Sequence, residues 1–468
     1  MKRENPGALL QKTSERHAPN VLRPGQGFGV WCLVFGVSLV LAGRCLVFRA
    51  SAQPTNGTCS IDLPTVLRLA GAQNLDVKIA RERLAEAKAN QESALLQFLP
   101  WISPGLTYRQ HDDNIQDVSG NIIDVHKYSY APGANVGVQL DLGDAMFKTL
   151  AARQFAKAAG HALEAQRQDS VLAAVQEYFD LALAQGAAGV AKEAVQISGE
   201  YETQLGSAVE TGVAFKGDLL RARVQAERNR LTLRQTREQQ RVAAARLAQV
   251  LRLDPAVDLV AQDSELAPLN LIETNAVLGV LVQRTLDSRP ELKQGQSLTS
   301  AARDAKNGAV FGPLIPSIGA QGFWGGLGGG RNGTGDTFGG QEDYSIGLNW
   351  RIGPGGLFDF GRIHSAKSRL KIAELSFGKL RDDATRQVIE AFTRWQSLAD
   401  QLATAQRILA AAAEGLRLAQ QRKEFAVGVV LETIQAEQDL TRARLDYLKT
   451  VAEFNKAQYT LCKSTAGL

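Results

Sequence analysis

Apolar residues follow two different rhythms along this chain. In the first, Val388, Phe392, Trp395, Ala399, Leu402, Leu409 and Leu416 are spaced in steps of three, four and seven. Leu440, Tyr447, Val451 and Phe454 continue the seam, and Leu220, Val224 and Leu231 repeat it earlier. Such steps sustained over several turns predict helices packed as coiled coils. Proline is absent from 133–254 and from 355–468. One proline in a helix interior costs about 3 kcal/mol, so these two stretches are read as very long helices. A helix from Ala145 to Ser207 would extend ~95 Å at 1.5 Å per residue.

The second rhythm has period two, which is the strand signature. Val136, Val138, Leu140 and Leu142 alternate with Gly137, Gln139 and Asp141; Tyr344, Ile346, Leu348, Trp350 and Ile352 alternate with Ser345, Gly347, Asn349 and Arg351. Ile102, Leu106 and Tyr108 face away from Ser103, Thr107 and Arg109, and Ile318, Ala320 and Trp324 make a fourth strand. Either the apolar face packs on a core as a water-soluble hairpin, or it meets lipid while the polar face lines a lumen. Four strands cannot close a barrel, and open edges are not tolerated in lipid, so the second reading requires several copies of the chain. Sixteen of the 44 glycines lie between 319 and 361. The glycines at 325–330 and 333–335 read as a loop between strands, without the Lys-Ser/Thr of a phosphate loop.

The two halves repeat one another. Asn74-Leu-Asp-Val-Lys78 corresponds to Arg289-Pro-Glu-Leu-Lys293, Val175…Phe179 to Val388…Phe392, Thr211-Gly-Val213 to Val427-Gly-Val429, and Arg223…Leu231 to Glu437…Leu445. The expected organisation is a leader at 1–52, a first repeat at 53–254 and an inter-repeat segment at 255–288. A second repeat follows at 289–468. The strand pairs fall at 101–142 and 316–352, and the helix-to-helix tips near 212 and 428.

Charge sharpens this picture. The whole chain carries +5, and residues 1–52 alone hold seven cations against two acids, so the rest is balanced at 46 of each sign. A nucleic-acid partner is not indicated. The cations precede an apolar run from Val30 to Ala42, with Ala50-Ser51-Ala52 after it, the pattern of a secretory signal peptide. An uncleaved anchor and lipidation at Cys45 are the alternatives. Export leaves Cys59 and Cys462 in an oxidising compartment, where a bond between them is permitted. Cys-x-x-Cys, His-Glu-x-x-His and Gly-x-Ser-x-Gly are absent; neither an enzyme, a metal site nor a cofactor is expected.

The order helix, Leu-Pro, strand pair, long helix, tip and return helix, used twice over about residues 60–462, resembles the TolC family of outer-membrane efflux channels. Gly355-Gly-Leu-Phe-Asp-Phe-Gly-Arg362 is similar to that family's aromatic-Asp-x-Gly-Arg turn into its long helix. Asp141-Leu-Gly-Asp-Ala-Met-Phe147 keeps the position without the Gly-Arg. The resemblance implies a mainly α protein with a long-helix tunnel and four strands per protomer, three copies closing a twelve-stranded transmembrane β-barrel. It places the termini, the inter-repeat segment, Cys59 and Cys462 in one equatorial belt.

It also implies a homotrimer in outer-membrane lipid extending into the periplasm, working with a periplasmic adaptor and an inner-membrane pump of RND or ABC type. The activity implied is passive conduction for efflux or type I secretion. A periplasmic scaffold without a pore is the alternative. The tips are similar to the family's Val-Gly-Leu docking turns, which makes Gly212, Val213, Leu219, Gly428, Val429 and Ile434 the expected adaptor contacts. Asp218 and Glu432 match the acidic tip position, where threefold symmetry would build rings of like charge. Phe425 stands where some members carry a tip tyrosine, and Gln435 where a second acid occurs.

Overall fold

The computed structural model describes residues 59–467 apart from 255–256, 263–265, 274–275, 332–336 and 425–429. The leader at 1–52, with Cys45, lies outside the described residues. The described residues begin with β1 (Cys59–Ile61), α1 (Leu63–Gln73) and α2 (Leu75–Leu96), then β2 (Trp101–His111), the short β3 (Asn114–Gln116) and β4 (Ile122–Asp124), and β5 (Lys127–Asp141). The long α3 (Leu142–Glu210) and its return α4 (Lys216–Leu251) follow. β6 (Leu259–Ala261) and α5 (Leu278–Ser288) lead into α6 (Pro290–Phe311), β7 (Ser317–Arg331) and β8 (Thr337–Asn349), and the long α7 (Phe360–Glu424) with α8 (Val430–Ser464) completes the chain.

α3 has 69 residues and α7 has 65, each about 100 Å at 1.5 Å per residue. Both are longer than the patterns required, because no proline interrupts them. Their partners lie antiparallel across alanine-rich seams: Ala222, Ala226, Ala243, Ala244 and Ala248 make up most of the buried face of α4, with Thr236, Leu247 and Leu251. Small side chains let two backbones approach closely. Leu220, Val224 and Leu231, expected to form that seam, are instead about half exposed at 50%, 51% and 57%. The alanines take the internal contact and leave a leucine stripe outside.

Two apolar clusters hold the middle of the helices. One joins Val175, Tyr178 and Phe179 of α3 to Leu247 and Leu251 of α4, with α1, Ile61 and Leu259. The other joins Val388, Phe392 and Trp395 of α7 to Val451, Phe454 and Leu461 of α8, packed by Leu278, Leu281 and Val282 of α5. Val175/Phe179 and Val388/Phe392, matched in sequence, therefore occupy corresponding cores. β1 and β6 pair in parallel, Cys59 opposite Leu259, and tie the chain start to the inter-repeat segment. Cys59 and Cys462 are both free, the first exposed on β1 and the second half-buried on α8. The bond permitted by their compartment is not formed: Cys59 lies on β1 opposite Leu259, while Cys462 lies near Arg284 of α5. Burial pushes the Cys462 thiol above its usual range, opposed by the Arg284 charge.

β2, β5, β7 and β8 form one antiparallel sheet in the order β2-β5-β7-β8. Its register places Ile102 opposite Val136, Val136 opposite Gly322, and Gly322 opposite Tyr344. The apolar positions of all four strands consequently share one face. The expected strand ends are corrected: Leu142 starts α3, and Trp350 and Ile352 lie beyond β8, where Arg351 and Gly353 turn the chain. Gly325–Gly330 are also not a loop but part of β7. Aromatic rings of the neighbouring strands lie over these glycines. A Cβ at Gly326 would meet Phe338 at 2.2 Å and one at Gly328 would meet Tyr130 at 2.4 Å.

Sheet and helices are locked together at their junction. Asp359 accepts from the backbone N–H of Gly355 and of Arg362, both at 2.9 Å. The Arg362 guanidinium donates to both carboxylate oxygens of Asp144 in α3, at 2.7 and 2.8 Å. The first repeat lacks its own Gly-Arg because the second repeat's arginine serves both turns. Hydrogen bonds to a charged partner contribute about 1.5–3 kcal/mol, so Arg362→Ala is expected to lower stability by about that much, read by thermal unfolding in detergent. Arg362→Lys should recover only part, since one ammonium can reach Asp144 but cannot also hold the Gly355 carbonyl that Nη1 binds at 3.2 Å; unchanged melting in both would contradict the clamp. Titration of the native protein with a thiol reagent, without reductant, should find Cys59 reacting quickly and Cys462 slowly, and an oxidised pair would overturn this description.

Candidate functional site

The first tip is built by the end of α3. Gly212 adopts φ +77°, a left-handed value that closes the turn, and Gly212, Val213 and Ala214 donate back to Val209, Ala208 and Ala208. The turn thrusts Val213 and Phe215 into solvent, 84% and 81% exposed. Leu219 folds back with Ala214 onto a small core of Tyr201, Leu205, Ala222 and Ile434. Ile434, expected as a docking contact, is buried there at 6% exposure, packed between the two helical hairpins. Gly428 and Val429 lie outside the described residues. Phe215 was not expected, although an aromatic beside a turn glycine was visible in the sequence.

The two acidic candidates each have a cation from their own chain. Arg221 lies 3.3 Å from Asp218, one helical turn on, and Arg422 lies 2.7 Å from Glu432 across the second tip. A ring built from these residues would thus carry alternating signs rather than bare carboxylates. Asp-x-x-Arg spacing makes the first pair legible in sequence; the second joins residues ten apart, one on α7 and one on α8.

Above the tip, Gln438 of α8 donates to Gln225 of α4 at 2.6 Å, and Arg444 pairs with Glu193 at 2.7 Å. A cavity of about 310 Å3 lined by Ile197, Asn229, Leu416 and Leu440 lies between the hairpins. Burial pushes the Tyr201 phenol above its ordinary value, and the Glu437 carboxylate adds to this.

At the other end, the sheet's two faces differ in kind. Ile102, Leu106, Ile346 and Leu348 are 59–84% exposed on the apolar face. The same face carries an aromatic group toward the loop end. Tyr108 stacks on Tyr128 and Tyr130 on Phe338, while the Trp324 indole donates to Tyr344 at 2.6 Å. The opposite face bears Gln139, Ser317, Gln321, Ser345 and Asn349 around a cavity of about 410 Å3. An apolar band with aromatic residues at its margin and a polar reverse face is the pattern of a membrane β-barrel wall. Among the described residues no helix is long and apolar enough to cross a membrane.

Comparison with known proteins agrees with this geometry. The family model described as outer membrane efflux protein matches residues 66–251 and 281–467. Protein CyaE of Bordetella pertussis is 27% identical over 320 residues, covering 66% of this chain; the match spans 65% of that relative, just under two thirds of its length. Among solved structures, the CmeC outer membrane channel of Campylobacter jejuni superimposes with a TM-score of 0.74 at 18% identity, covering 86% of this chain and 85% of CmeC. The open state of the MtrE outer membrane channel of Neisseria gonorrhoeae gives 0.70 at 18% identity, covering 86% and 89%. These likenesses establish the fold, long paired helices joined to a strand wall. With both repeats matched, the chain belongs to the outer membrane efflux protein family.

Proposed function

We propose that this chain is a passive exit duct, an outer-membrane channel that carries solutes out of the periplasm for a tripartite efflux or secretion assembly. One observation carries the reading: a four-stranded sheet with an apolar face and two open edges continues directly into helices about 100 Å long. Three copies, each giving four strands, close a twelve-stranded barrel whose polar face lines the pore. The helices of the same copies enclose the tunnel below, and the exposed Leu220, Val224 and Leu231 stripe supplies apolar surface for a neighbouring copy. A scaffold without a pore would have no use for the exposed apolar wall.

Val213 and Phe215 are the groups that a periplasmic adaptor hairpin would meet at the first tip. Gly428 and Val429 keep that role at the second by the sequence match of the repeats. Asp218 and Glu432, balanced by Arg221 and Arg422, set the charge at the narrow end. The energy for transport belongs to an inner-membrane pump, of RND or ABC type, because a duct of this architecture supplies only a path.

Planar-bilayer recording tests the reading. The purified protein is expected to conduct, and Arg422→Ala, which leaves Glu432 uncompensated, should raise cation preference, whereas Glu432→Ala should lower it. A protein that inserts without conducting would overturn the duct, and identical selectivity in both variants would remove the tip acids from the pore.

A further inference from the structure

At the loop end of the sheet, where β2 gives way to β3 and β4 returns to β5, four chemistry-bearing side chains converge. The cross-strand bond from Val125 N–H to the Asp113 carbonyl, 2.9 Å, holds the two chain segments together. Ligand atoms of Asp113, Asp124 and His126 then lie within 4.8 Å of one another, all three residues being exposed to solvent. The fourth, Asp112, faces the imidazole from the other side: its Oδ1 is 3.1 Å from His126 Nδ1.

That arrangement has a consequence for the imidazole. In the tautomer that donates Nδ1–H to Asp112, Nε2 is an acceptor and lies 3.7 Å from Asp124 Oδ1. Two acceptors then face each other across a gap too long for a hydrogen bond. A cation between them satisfies both. Asp112 is itself oriented, since Gln110 donates to its Oδ2 at 2.8 Å, and Tyr108 donates to Gln110 at 3.1 Å. A carboxylate holding the distal ring nitrogen is how metal-binding histidines are commonly fixed. Charge points the same way. Among the described residues the ion pairs of Asp112 and Asp124 are with His126, with His111 also close to Asp112, and no lysine or arginine forms an ion pair with Asp113.

We propose that Asp113, Asp124 and His126 bind a first-row divalent transition-metal ion, of the Zn2+ class, with Asp112 as the positioning residue. One imidazole nitrogen and two carboxylates suit such an ion better than Ca2+ or Mg2+, which take oxygen ligands. Zn–N and Zn–O bonds of about 2.0–2.2 Å set tetrahedral ligand atoms about 3.3–3.6 Å apart, and small rotations of the two exposed aspartates bring ligand atoms that now lie within 4.8 Å to that spacing. The ion staples the base of the β3–β4 loop to the sheet. The inference rests on this geometry and does not depend on the channel reading.

Titration calorimetry of the untagged, outer-membrane-extracted protein with Zn2+ tests it. The expected result is a site that His126→Asn removes and that Asp112→Asn weakens about 10–100-fold, the usual effect of losing an orienting partner. Asp117→Asn, in the same loop but outside the cluster, should leave it intact. The bound ion should also slow proteolysis within residues 112–126 in the native protein and not in His126→Asn. Zn2+ binding unchanged by His126→Asn, absence of binding, or a preference for Ca2+ over Zn2+ would each overturn the proposal.

Discussion

The structure depends on what becomes of the two outer strands of its single large sheet. β2 and β8 each pair on one side only, so each presents a row of unsatisfied N–H and C=O groups. In water such an edge is a liability; in hydrocarbon it is prohibitive, since every unpaired backbone group costs several kcal/mol. The apolar face formed by Ile102, Leu106, Ile346 and Leu348 favours hydrocarbon, while the edges forbid it to a lone chain. Both demands are met when β2 of one copy pairs with β8 of the next.

The helical half follows the same logic with different residues. Inside one chain the alanine seams draw α3 and α4 together, and the larger apolar side chains are reserved for the central clusters and for the outside. Leucines left outward at 220 and 231 mirror the outward strands above: each is surface that a single copy cannot bury. Arg362 connects the two systems, because its Nη2 binds both carboxylate oxygens of Asp144 in α3 while its Nη1 binds the Gly355 carbonyl beyond β8. At the far end Ile434 and the Gln225–Gln438 bond gather the hairpins, while Val213 and Phe215 stay outside.

Much of this was legible in the sequence for physical reasons. Proline-free stretches mark long helices because one proline would break them, and period-two runs mark strands because side chains alternate. The repeat made Val175/Phe179 and Val388/Phe392 recognisable as equivalent cores. The glycines of β7 misled, because glycine usually signals a turn; here it makes room for Tyr130 and Phe338, which belong to other strands. α5 was hidden in a segment with no sustained period, being only 11 residues long. Ile434 looked available because an aliphatic residue near a tip says nothing about which hairpin it faces. The arginines beside Asp218 and Glu432 changed the electrostatics of the tip, and the second lies on a different helix from its acid.

Cysteines placed on the two outer strands, at Leu106 in β2 and Ile346 in β8, in a chain with Cys59 and Cys462 replaced by serine, test the edge-to-edge closure most directly. With both cysteines in one chain, a short bismaleimide added to intact outer membranes should produce covalent dimers and trimers, and neither cysteine alone should do so. Only uncrosslinked or internally crosslinked monomer would contradict the shared barrel.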